Sequence, residues 1–136
     1  MIREIERDTF FLSQRSADAS PADAQTADDL ADTLRAHRES CVGMAANMIG
    51  VLKRIIVFQD GGQITEMFNP VILRASEPYE AQEGCLSLDG TRKTRRFGRI
   101  KVQWQTRDGL TRLKTYTGFP AQIIQHEIDH CAGILI

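Results

Sequence analysis

Near its C-terminal end the chain reads QHEIDHCAG (residues 125–133), and no other stretch constrains it as much. Four residues advance a helix by roughly 400°, so His126 and His130 leave one face a turn apart. Imidazoles so placed can share a metal ion, with Glu127 beside them as a base for an attacking water. Ala121, Ile123, Ile124 and Ile128 make one side of this helix apolar, and Gly133 can stop it. The same letters also suit an ordinary helix with two polar residues on one side, since His-Glu-x-x-His occurs by accident on exposed helices.

A catalytic metal site needs a third protein ligand and an open position. The chain ends at Ile136, so that ligand is sought upstream. The remaining histidine, His37, sits at the polar end of an earlier helix and reads as solvated. Cys85, in QEGCLSLDG, could offer a thiolate suited to zinc or ferrous iron. It could equally be a small buried hydrophobe, and spacing does not choose between the two.

Upstream, Ser20-Pro21-Ala22-Asp23 opens a helix with a cap, a first-turn proline and an acid at the positive dipole end. Ala27, Leu30, Ala31 and Leu34 continue it at helical spacing to about Glu39. Residues 41–50 read as a small-residue turn, and Arg54 to Phe58 as a buried strand closed by Asp60-Gly61-Gly62. Ile64–Asn69 and Val71–Ala75 read as strands on either side of Pro70. Ile100–Trp104 alternates and pairs as a hairpin with Leu110–Thr117. Helix, strands, then helix predict a single α+β domain over 1–136, mostly antiparallel sheet around a central C-terminal helix.

The composition excludes several classes. A formal net charge of -1 offers no field for nucleic acid or membrane. Five basic residues in Thr91–Arg99 lack the aromatic series of a single-strand platform, and read as a surface segment with one structural arginine. No direct nucleic-acid or membrane binding is expected. The charged start is not a secretory signal, and an odd count of three cysteines fits reduced thiols, so a cytoplasmic monomer is expected.

Three segments, VGMAANMIG, QEGCLS and QHEIDH, stand in this order over almost the whole chain, and with the RIIVF strand they resemble the signature motifs of the peptide deformylase family. The resemblance implies removal of the formyl group from N-formylmethionyl peptides, possible at nascent chains on the ribosome. It implies Cys85, His126 and His130 as ligands of one divalent ion, typically Fe2+, with Zn2+, Ni2+ or Co2+ as substitutes. Glu127 matches the general acid and base, the Leu86 N–H an oxyanion donor, and Gly43 the backbone that pairs with the peptide. Val42, Met44, Leu86 and Ile123 match the pocket for the methionine side chain, and Glu83 and Arg96 a pair that braces the site.

The chain departs from this pattern in three places. Met48 stands where the first motif carries a glutamine whose amide donates to the oxyanion, and a thioether donates nothing. Asn47 is adjacent, but neighbouring positions in an ordered loop seldom face the same way. Cys41 replaces a glycine, and only six residues follow His130, where many relatives continue into a further helix. Two expectations follow: an active deformylase, or a deformylase-like protein that binds metal and formyl-peptide with little turnover.

Overall fold

The computed structural model describes all 136 residues. A short helix α1 (Thr9–Leu12) and a 3₁₀ turn (Pro21–Asp23) lead into α2 (Ala24–Ala36). Then come β1 (Gly43–Ala45), a second 3₁₀ turn (Ala46–Ile49), β2 (Ile55–Asp60), β3 (Gln63–Cys85), β4 (Leu88–Gln105), β5 (Thr111–Thr117) and α3 (Gly118–Cys131). The strands form one antiparallel sheet in chain order. Ser20 and Asp23 close a reciprocal capping box, as the Ser-Pro-x-Asp signal predicts, and α2 ends at Ala36, three residues short of the expected limit.

Alternation along the strands decides which side each residue serves. Ile55 and Val57 face α2, packing with Leu30, Leu34 and Met44. Ile56 and Phe58 face α3, packing with Ile100, Val102 and Ile124. The sheet therefore has a helix on each face, α2 on one and α3 on the other, with the apolar side of α3 buried.

Three local readings change. The segment taken as a small-residue turn contains β1, paired through Met44 with Val57. The two strands around Pro70 are one, because irregularities between Phe68 and Val71 and between Ile72 and Arg74 let β3 pass the proline without breaking its pairing to β4. The basic run lies inside β4, and its Arg96 is buried.

β3 and β4 form one long hairpin whose tip is Leu86-Ser87, closed by the pair Cys85 and Leu88. That tip delivers Cys85 to α3. Gln125 fixes the helix in register, accepting from Phe97 N (2.9 Å) and donating to Phe97 O (2.7 Å) like a strand residue. Past the helix, Gly133 adopts φ +78, and the backbone of Ser13 and Gln14 leaves no room for a side chain there.

Candidate metal and catalytic site

Cys85 Sγ lies 3.3 Å from His130 Nε2, which lies 3.0 Å from His126 Nε2. All three ligand atoms fall within 4.8 Å of one another. The edges of a tetrahedral site with ordinary metal–nitrogen and metal–sulfur bonds are roughly 3.3–3.6 Å, so the cluster fits an ion with little adjustment. Thiolate and imidazole are borderline-to-soft donors that suit iron, zinc, nickel or cobalt better than magnesium or calcium.

Of the three, His126 is oriented by a further group, while the buried Nδ1 of His130 has no protein partner. His126 Nδ1 meets Glu83 Oε1 at 2.9 Å, which aims Nε2 at the cluster. Glu83 in turn accepts from Arg96 Nε (3.0 Å) and Nη2 (2.8 Å) and from Gln122 Nε2 (2.8 Å). Arg96 Nη1 reaches Asp129 at 2.7 Å. Burial opposes the charge on Glu83, yet its hydrogen bonds from His126, Arg96 and Gln122 hold the carboxyl down at about 2. His130 is pushed down to about 3, first by burial and then by its imidazole neighbour, and is held neutral as a ligand must be.

Glu127 is almost wholly buried, and its Oε1 has no protein partner. Burial chiefly lifts its carboxyl to about 7, within reach of either protonation state at neutral pH. Gly43 packs directly on this region: a Cβ there would sit 2.6 Å from Ile123 Cγ2 and 3.0 Å from Glu127 Oε2. Only glycine lets the β1 edge approach so closely.

The cluster opens into a cleft of about 490 Å3. Val42, Gly43, Met48, Leu86 and Ile123 line it together with Cys85, His126 and Glu127. Met44 does not. It alternates with Gly43 and Ala45 on β1, so its side chain points to the α2 core, where it is fully buried. His37 caps α2 away from the cleft, its Nδ1 2.9 Å from Thr33 O.

The loop beside Met48 holds a result that sequence reasoning only half anticipated. Asn47 faces away from the cleft and donates Nδ2 to His130 O at 3.0 Å, tying the 3₁₀ turn to the ligand helix. Cys41 Sγ donates to Gly43 O at 3.0 Å, and burial holds this thiol up at about 12. Phe119 and Gln122 also line the cleft and were not anticipated. Helical spacing back from His126 was the signal that could have found them.

A Cys-His-His cluster with both histidines buried, beside an isolated glutamate at the foot of an open cleft, defines a metal-dependent hydrolase. A profile of the polypeptide deformylase family matches residues 4–136, and the chain belongs to that family. It is 53% identical over 136 residues to a peptide deformylase of Clostridium beijerinckii, covering 100% of both chains. A Met-Ala-Ser-bound class I type b peptide deformylase of Acinetobacter baumannii superposes with a TM-score of 0.88 at 29% identity, over 99% of this chain and 97% of that one. The peptide deformylase of Thermotoga maritima gives 0.89 at 28% identity, over 99% and 95%.

Proposed function

We propose that the chain hydrolyses the formyl amide of N-formylmethionyl peptides, using one ferrous ion held by Cys85, His126 and His130. The convergence of these three side chains next to the unpartnered Oε1 of Glu127 supports this reading above all else. Zinc, nickel or cobalt would suit the same donors.

A bound ion supplies Lewis acidity that makes water nucleophilic near neutral pH. Glu127 takes the proton from that water and returns it to the leaving amine, a pair of tasks suited to a carboxyl near 7. The Leu86 N–H at the hairpin tip donates to the developing oxyanion. The β1 edge at Gly43 pairs with the peptide backbone, displacing the weak thiol donor of Cys41 from the Gly43 carbonyl. Val42, Leu86 and Ile123 receive the first side chain. Nascent chains at the ribosome present this formylated terminus.

One observation favours a second reading, in which peptide and metal bind with little turnover. Met48 is buried in the cleft wall, and the neighbouring Asn47 amide is spent on His130. That wall therefore offers no side-chain donor to an oxyanion. Formate release from a formyl-Met tripeptide, with protein purified anaerobically and loaded with iron, separates the two. Turnover that Met48→Gln accelerates is expected. Silence in the metal-loaded protein, relieved by Met48→Gln, would establish the second reading instead. Full metal occupancy in Cys85→Ser would show the ligand assignment itself to be wrong.

A further inference from the structure

The face of α3 toward the cleft carries Phe119, Gln122, Ile123, His126 and Glu127, at helical positions i, i+3, i+4, i+7 and i+8. Gln122 lies one turn, about 6 Å, N-terminal of His126. A side chain of methionine length spans that distance from the reacting centre. Gln122 lines the cleft beside the apolar Val42, Leu86, Phe119 and Ile123.

Its orientation follows from chemistry. Glu83 is an acceptor committed to Arg96 and His126, so only the Gln122 amide nitrogen can face it, at 2.8 Å. The amide oxygen is thereby turned away from Glu83, and no protein group donates to it. A cleft-lining carbonyl with no protein donor is free to accept one from a ligand.

We propose that Gln122 is a specificity-determining residue, whose side-chain carbonyl accepts a hydrogen bond from the first side chain of the substrate when that side chain carries a donor. The subsite would then accept glutamine, a polar near-isostere of methionine, better than its apolar walls alone allow. This inference rests on the deformylase reading.

The test compares formyl-Gln-Ala-Ser with formyl-norleucyl-Ala-Ser in the wild type and in Gln122→Met, both metal-loaded. The ratio of their kcat/KM values falls by about 3- to 10-fold in the variant, the worth of one neutral hydrogen bond. Weaker bracing of Glu83 slows both substrates alike and cancels in the ratio. Calorimetric titration with the unformylated tripeptides Gln-Ala-Ser and norleucyl-Ala-Ser gives the same shift in relative affinity without turnover. An unchanged ratio in both measurements overturns the role of Gln122 while leaving deformylation standing. A wild type that releases no formate from formyl-Met-Ala-Ser overturns the deformylase reading, and the titration still reads Gln122.

Discussion

On the α3 side of the cleft a chain of polar contacts runs behind the histidines: His126 is held by Glu83, Glu83 by Arg96 and Gln122, and Arg96 by Asp129. On the β1 side Met48 is held by packing alone, among Leu30, Ile49 and Ile55. The difference shows how a site can change on one wall and not on the other. A buried polar network fails when any member is left unpaired, whereas an apolar wall asks only for volume. Methionine fills nearly the same space as glutamine, so an apolar wall can hold either, and only glutamine would bring a donor.

The sharpest way to break this comparison is at Glu127. Replacing it by alanine should lower kcat by about 10²–10⁴, the range of general acid–base catalysis, with metal content unchanged by elemental analysis. The opposite wall should respond in the other direction. Met48→Gln should raise kcat by up to about 10²–10³, the worth of an oxyanion donor, with KM moving little. A slower Met48→Gln enzyme would mean that the β1 wall plays no part in stabilising the oxyanion.

Stability separates the two walls as well. Arg96→Ala leaves the Glu83 and Asp129 carboxylates without their partner, one of them buried, and should cost about 3–5 kcal/mol in urea unfolding. Gly43→Ala forces a Cβ onto Ile123 and Glu127, and should cost about 1–3 kcal/mol while weakening peptide binding.

The smallest effect is a pH dependence. Folding lowers the Glu83 carboxyl from 4.5 to about 2, so its ionised form is favoured in the native state. That stabilisation is complete above about pH 4.5 and is lost as pH falls through about 2. In metal-free protein, the stability gap between wild type and Glu83→Gln should therefore narrow across that window. A gap that is constant from pH 5 to pH 2 would show that Glu83 is not held ionised by its partners.

Much of this was legible because the signals were local. Helical spacing placed His126, Glu127 and His130 on one face, and the cap at Ser20 marked the start of α2. Met44 was assigned to the cleft through the motif it belongs to, but strand alternation beside Gly43 turns it to the other core. The extent of β3 and β4 was hidden because their hairpin arms are largely exposed, so residues 73–82 show no apolar alternation. Proline at position 70 reads as a break until the bulge beside it is seen. Gln122 and Asn47 carried no signal of their own, since an amide shows its role only through its partner.

The sequence by itself determined the candidate ligand types, the spacing of the two histidines, the glutamate between them and the methionine at position 48. These are matters of residue identity and of the 3.6-residue helical period, which operate over a few residues. Tertiary structure alone decided that Cys85 meets His130 across 45 positions, that Asn47 turns from the cleft, and that the Gln122 amide nitrogen meets Glu83. Those outcomes depend on the β3–β4 hairpin tip reaching α3 and on which donors and acceptors remain once Glu83 and Arg96 have paired. Contacts so distant along the chain are set by the packing of whole elements.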